Sequence, residues 1–548
     1  MPVRSLVGRC FWLAALLALV AGAPKFSLSA FPDESAAASS GNFSAVRVGT
    51  QLERSRQWGD AIEHYEQALK NWPENKELQY GLRRSKIQFG IDRRYADRSF
   101  DAELLGLSQS EALARFDEVL REVQVKYVEP LSATSFVAHG TESLYLALAN
   151  DRFIQRQIPG AEEVKVTRLR QILREQYWNK PAADFAAARQ IILEVAGLAR
   201  SLVGMPSTAV IMEYVFGGCN ALDDYSNYLT PDRLEDLRGN IEGEFVGLGI
   251  EMKSDLGNGL LLVNVLPGSP AEEGGLRRGD YLVGIDGVDC RDMTTDEAAR
   301  LLRGPAGSLV RLAFERGATA QQSERVFFRR EVHVKSIPIA RMVDPDNGIA
   351  YIQMTGFQSG TARELDEALA QLRSQGMRAL IWDLRGNPGG LLPAAVETLD
   401  RFIEDGLLVS TRGRRADENF QYFAHRPNTW KIPLVLLVDG DSASASEIVA
   451  GAVRDHRRGA IVGRQTFGKW SVQTILQMRG NSGLRLTTAK FYSPKGHTLG
   501  KIGVKPDRVV TVADTQETYY RAPEDIRPDR DPDLKEGLEI LRQQFAQR

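Results

Sequence analysis

The stretch that most restricts what this chain can fold into is residues 333–512, where short apolar runs alternate with amphipathic ones. Gly348-Ile-Ala-Tyr-Ile-Gln-Met354, Ala379-Leu-Ile-Trp-Asp-Leu384 and Leu434–Val438 read as strands. Between the first two, residues 362–375 place Leu365, Leu369 and Leu372 on one helical face. Residues 460–462 and 484–488 continue the alternation, which specifies an α/β unit over 333–515.

Upstream the pattern changes character. From Ser108 to Phe216 apolar residues recur at helical spacing, as in Ala112, Phe116, Val119 and Val123, so an α-helical domain is expected over 105–235. It closes on the aromatic turn Leu222-Asp-Asp-Tyr-Ser-Asn-Tyr-Leu-Thr-Pro231. Earlier still, within 46–95, the run from Trp58 to Pro73 resembles the second half of a tetratricopeptide repeat. Ala61, Tyr65 and Ala68 share a face there, and Pro73 ends the helix before another begins near Asn75. One repeat cannot bury a solenoid core alone, so a protein-docking surface and a plain helical hairpin are equal alternatives. Residues 31–45 read as a linker, and the charged tail within 516–548 as one more helix.

At 548 residues the chain needs several cores, and a net charge of −2 argues against a nucleic-acid partner held through phosphates. Residues 1–30 contain an export signal by pattern: Arg4 and Arg9, then an apolar run over 11–21 that is shorter than the roughly 18 residues of a spanning helix. Export to a periplasm is the expectation, with an uncleaved anchor as the alternative. Cys219 and Cys290 stand in different expected domains without CxxC spacing, either paired or as buried free thiols. There is no HExxH and no His/Cys cluster, so neither a metal nor another cofactor is expected.

Residues 241–332 turn to short strands and glycine turns: Phe245-Val-Gly-Leu-Gly-Ile250, then Leu260 to Leu276, then Gly279-Asp-Tyr-Leu-Val-Gly-Ile-Asp-Gly287, then a helix from Thr295 to Leu302. This order resembles a PDZ domain. The resemblance implies that N–H groups near Gly247, Leu248 and Gly249 capture a peptide's terminal carboxylate while its chain extends the sheet. Leu248, Ile250, Ala298 and Leu301 would form the side-chain pocket. Arg303, just past the helix, either meets the carboxylate or caps the helix.

Chemistry concentrates in Asp439-Gly-Asp-Ser-Ala-Ser-Ala-Ser-Glu447 and Thr466-Phe-Gly-Lys-Trp-Ser-Val-Gln473. A serine becomes a nucleophile when a base takes its proton, and a buried neutral lysine can be that base. If a helix begins at the second serine, Ser444 stands at its N-terminus, where free N–H groups favour developing negative charge. Ser442 and Ser446 suit capping and packing better. Lys469 sits beside glycine, and the Gln473 carbonyl can orient its amine. In Asp383-Leu-Arg-Gly-Asn-Pro-Gly-Gly-Leu391, Gly390, together with Gly389 and the N–H of Ala445, can bind an oxyanion. A histidine-based hydrolase using His456 or His497 fits poorly, because His456 lies at least three turns from Ser444 down the same helix.

These motifs in this order, from Phe116 to Asp507 and including Leu486-Thr-Thr-Ala-Lys-Phe-Tyr-Ser-Pro-Lys-Gly496, resemble the carboxy-terminal processing peptidases, the tail-specific serine proteases. The resemblance implies a multidomain α+β chain with a ClpP/crotonase-like protease core and a PDZ domain gating access. It makes Ser444 the nucleophile, Lys469 the base, Gln473 its orienting partner and Asp455 a structural support near the site. Protein or peptide C-termini would be the substrate. Outside what the resemblance implies, a homodimer or an adaptor partner would use the helical N-terminal region. Trp470 replaces the glycine usual after the lysine and would narrow the site, shield Lys469 or distort the loop. The rival from another class is a non-catalytic adaptor that gathers proteins through its PDZ and repeat-like segments.

Overall fold

The computed structural model describes residues 40–255, 257–316, 321–425, 427–511 and 526–547. The export signal expected in residues 1–30 lies outside them. Among the described residues no helix is long and apolar enough to cross a membrane. The chain divides into two compact units, residues 1–89 and 90–548.

In the first unit, helices Ser40–Arg54 and Trp58–Asn71 and the start of Lys76–Tyr95 enclose a small core of Ala45, Ala61, Tyr65, Ala68 and Leu78. The Tyr65 ring is gripped by two glycines: a Cβ on Gly49 or Gly81 would fall 2.3 or 2.4 Å from it. Residues 40–45 are thus helical and not a linker, because Ala45 packs into this core.

The centre of the second unit is a six-stranded sheet in the order Ile339–Asp344, Ile349–Gln353, Ala379–Asp383, Leu434–Val438, Ala460–Gly463, Arg508–Val509. Its first pair is antiparallel and the rest parallel. Its middle strands are apolar at almost every position because both faces are covered. Ala350, Ile352, Leu380, Trp382, Leu434 and Leu436 face helices Thr361–Ser374, Leu392–Leu399 and Ala445–Asp455. Ile349, Tyr351, Ala379, Ile381, Val435 and Leu437 face Leu534, Leu538 and Leu541 of the terminal helix Pro532–Ala546. That helix is pinned by charge as well. The Arg385 guanidinium, buried after the Ala379–Asp383 strand, bonds Asp383, Asp531 and Asp533 at 2.5–3.1 Å. Such a buried network mainly fixes geometry, since desolvation offsets much of its attraction.

The strand Gly483–Tyr492 does not continue the α/β alternation. It forms a second, antiparallel sheet, paired with Ser471–Gln477 on one side and with Asn227–Leu229 and Leu407–Gly413 on the other. The aromatic turn that closes the helical region therefore reaches into the core as a strand. Helix Pro231–Glu242 follows it, capped by the Thr230 hydroxyl.

Residues 250–328 form the PDZ-like sheet, Ile250–Asp255, Gly259–Val265, Tyr281–Ile285, Leu309–Arg316 and Gln321–Phe328 in order, with Val288–Asp289 added to Tyr281–Ile285. It joins the rest through a two-stranded ribbon of Glu244–Gly247 and Arg330–His333. Ile250–Asp255 and Gln321–Phe328 are its two end strands. Arg303 caps the helix Thr295–Leu302 through its backbone, its N–H donating to the Ala299 carbonyl at 3.0 Å. Its guanidinium pairs with Asp236 of helix Pro231–Glu242 at 2.8 Å, while Arg329 takes the end carbonyls Leu301 and Leu302 of the PDZ helix. Cys219 and Cys290 are both free thiols in separate cores, donating to the Val215 and Leu282 carbonyls. Burial pushes their pKa up to about 12 and about 11.

Candidate active site

Ser444 joins the end of strand Leu434–Val438 to helix Ala445–Asp455 with φ 55° and ψ −111°. A non-glycine residue held there costs on the order of 1–3 kcal/mol, so the surroundings must impose it. They do so through the two other serines of the motif, both fully buried. The Ser442 hydroxyl donates to the Leu384 carbonyl at 2.8 Å, and the Ser446 hydroxyl to the Asn387 carbonyl at 3.0 Å. Ser442 and Ser446 are occupied in holding the turn; Ser444, half-buried, is presented by it.

The glycine turn is built against this elbow. Asp439 accepts the Gly386 N–H, and buried Asn387 accepts the Ala443 N–H on its carbonyl. A Cβ on Gly389 would fall 2.7 Å from the Ala443 carbonyl oxygen and 2.8 Å from Ser444 Cβ; one on Gly390 would fall 2.2 Å from the Phe357 carbonyl oxygen. Only glycine allows both approaches, and both residues have positive φ. The three expected oxyanion donors are not equivalent, however. The Gly389 N–H already donates to Asn387 Oδ1 at 2.9 Å, because the Asn-Pro-Gly turn folds that side chain back on its own backbone. Among the described residues no hydrogen bond occupies the N–H of Gly390 or Ala445. Those two are the donors left for a developing negative charge.

Glu447, unremarked in the sequence beyond its place in the motif, is the hub. It is fully buried, one turn into the helix, and accepts four hydrogen bonds. Oε2 takes the N–H of Ser444 at 2.9 Å and of Lys469 at 2.8 Å. Oε1 takes the Gly468 N–H at 2.7 Å and the Thr466 hydroxyl at 2.6 Å. One carboxylate therefore sets serine elbow and lysine loop in a fixed relation. A glutamate three residues into a helix reads as a capping box, which is why its second task was not legible.

The Lys469 amine lies 4.7 Å from the ring centroid of Tyr225, in the aromatic turn. Burial, helped by nearby Arg485 and opposed by the charges of Asp223 and Glu447, lowers its pKa to about 8. Among the described residues the amine makes no hydrogen bond to Ser444 Oγ or to Gln473. Gln473 lies at a β-bulge, and its amide nitrogen donates to the Ser471 carbonyl at 3.0 Å and the Ser471 hydroxyl at 2.8 Å. The expected Gln473–Lys469 contact is thus not made. Asp455 is also displaced from expectation. It holds the Lys495 N–H at 3.0 Å from the far end of the helix, about 16 Å from Ser444 at 1.5 Å per residue. His456, beside it, bonds the Leu407 carbonyl.

Trp470 leaves the site alone. Its ring is buried, stacked on Phe491 with centroids 4.6 Å apart, and lies against Gly451 of the helix. Among the described residues the indole N–H is buried without a partner. Trp470→Phe removes that unsatisfied donor and opens a small void, two effects of about 1 kcal/mol each and opposite sign. It is expected to leave the unfolding midpoint and the catalytic rate close to wild type. A large fall in rate at unchanged stability would place the ring in the site after all.

The PDZ pocket residues are partly structural. Leu248 and Ala298 are buried in the PDZ core, with Ile250 and Leu301 half-buried against it. Gly249 has φ 75°, where a Cβ would strike Ser269, and Gly247 ends the ribbon strand.

Comparison with known proteins places these features. The profile of peptidase family S41 matches residues 348–510, and that of the PDZ domain residues 262–316. The chain is 37% identical over 314 residues to a carboxy-terminal-processing protease of Bartonella bacilliformis, covering 56% of this chain and 71% of that protein. It is 33% identical over 319 residues to a carboxyl-terminal-processing protease of a Synechocystis species, covering 58% and 74%. A solved photosystem II D1 C-terminal processing protease is 26% identical, with a TM-score of 0.39 over 73% of this chain and 92% of that one.

Proposed function

The chain belongs to peptidase family S41, the carboxy-terminal-processing proteases, and is a serine-type protease with a PDZ domain; on that premise we propose that it cuts protein chains through an acyl-enzyme on Ser444, with Lys469 as base. The observation that carries this reading is the Glu447 carboxylate, which bonds the backbone of both residues at once. With its pKa near 8, Lys469 has a neutral fraction at physiological pH that is able to take the Ser444 proton. As Oγ attacks the scissile carbonyl, the oxyanion is held by the N–H groups of Gly390 and Ala445. The lysine then gives its proton to the leaving amine, and water hydrolyses the ester by the same steps in reverse order. The amine must first close on the Ser444 hydroxyl, with Gln473 orienting it there. Hydrogen bonds of this kind often tighten only when substrate is bound.

In this reading a substrate's C-terminus enters beside the edge strand Ile250–Asp255, where strand addition is open, with Leu248, Ile250, Ala298 and Leu301 receiving its side chains. Export to the periplasm is part of the proposal and rests on Arg4, Arg9 and the apolar run that follows them. A fluorophosphonate probe, followed by peptide mapping, tests the chemistry. Modification at Ser444 alone is expected; modification of Ser442 or Ser446 instead, or no labelling at any pH, rejects it.

A further inference from the structure

We propose that Tyr225 is a positioning residue for Lys469, its ring face seating the amine and keeping water from it. The inference rests on the assignment of Lys469 as base. The turn carrying Tyr225 belongs to the helical region, far in sequence from the lysine loop, yet it is held rigidly over it. Asp223 Oδ1 accepts the Ser226 hydroxyl at 2.7 Å and the Tyr225 N–H at 3.3 Å. The Asp223 N–H donates to the Tyr127 hydroxyl at 3.0 Å. The Ser226 hydroxyl in turn receives the Thr487 N–H at 2.9 Å, and Asn227–Leu229 pairs with the same strand. That strand also pairs with Ser471–Gln477, the segment leading out of the lysine loop. The ring is thereby fixed against the amine by a framework anchored on both sides.

An aromatic face has two effects on a lysine. Its electron-rich surface favours the ammonium form. Its bulk excludes water and favours the neutral amine. Burial is the larger cause here, since the lysine pKa is held down to about 8. The other charged groups facing the amine are Asp223 from the same turn, Glu447 from the helix and Arg485 from the neighbouring strand. The first two raise the lysine pKa and Arg485 lowers it. Removing the ring leaves these charges in place and admits water. The phenol hydroxyl has no part in this account.

The test is the rate of fluorophosphonate labelling against pH for the full chain, a readout that needs no peptide binding. Tyr225→Phe should keep the wild-type profile. Tyr225→Ala should move the midpoint up by about one unit and lower the rate at pH 7 about tenfold. If Tyr225→Ala melts below the assay temperature, Tyr225→Leu, which fills the turn without a ring face, should still lower the rate at pH 7 several-fold. An unshifted profile in a folded Ala or Leu variant overturns the proposal, as does equal loss in Phe. Lys469→Ala run alongside separates the two readings. Should it label as fast as wild type, the lysine is not the base; should it fail to label while Tyr225→Ala behaves as wild type, only the role of Tyr225 falls.

Discussion

Lys469→Ala is expected to lower kcat/KM for a peptide substrate on the order of 10⁴-fold, the upper range of what one general base contributes. Ser444→Ala should reduce it to background, with both variants folded. The lysine also dictates the pH profile. With a pKa of about 8, about one tenth of the enzyme carries the neutral amine at pH 7. Activity should therefore climb about tenfold from pH 7 and level off above pH 9. Stability follows the same proton. The folded lysine titrates near 8 and the unfolded one near 10.5, so between these values the unfolded chain binds more protons. This group makes stability rise with pH across that window, and Lys469→Met should flatten the rise and be the more stable protein below pH 8. A pH-rate profile that stays flat from 6 to 9, or substantial turnover by Lys469→Ala, would remove the lysine from the mechanism.

What could be read in advance depended on whether the signal was local. Ala379-Leu-Ile-Trp and Leu434–Val438 announce buried strands because each is apolar on both faces. The face that the terminal helix covers was not legible, since Leu534, Leu538 and Leu541 show only that some face is apolar. The second sheet was missed for a related reason. Asn227–Leu229 pairs with residues 483–485, and no periodicity of three residues can announce a partner that distant. The site divides the same way. Ser444 between two alanines and Gly390 after a strand are short-range patterns. By contrast, Asn387 occupying the Gly389 N–H, and Trp470 turning inward onto Phe491, follow from packing. Glu447 and Tyr225 are the sharpest cases. Each looks like ordinary local chemistry, a helix cap and a turn aromatic, until the fold brings residues 466–469 against both.

Glu447→Gln is the substitution that isolates this hidden half of the site. The carboxylate now accepts four donors, three of them backbone N–H groups that cannot rotate away. A glutamine offers one oxygen and turns an NH₂ toward the other pair. At least one buried N–H group then faces a donor, that of Gly468 if the NH₂ takes the Oε1 place and two if it takes the Oε2 place, at roughly 1–3 kcal/mol for each group left unsatisfied. The elbow at Ser444 already stores backbone strain, so relaxation there is the easiest escape. A displacement of about 1 Å between nucleophile and base is enough for a loss near 10²-fold. We therefore expect kcat to fall 10²- to 10³-fold with KM little changed, because the PDZ strand proposed to receive the substrate is untouched. Fluorophosphonate labelling should slow in proportion. Loss of stability with normal labelling in the folded fraction would reduce Glu447 to a helix cap. Slow labelling in a chain that still unfolds cooperatively would make it the residue that registers serine and lysine.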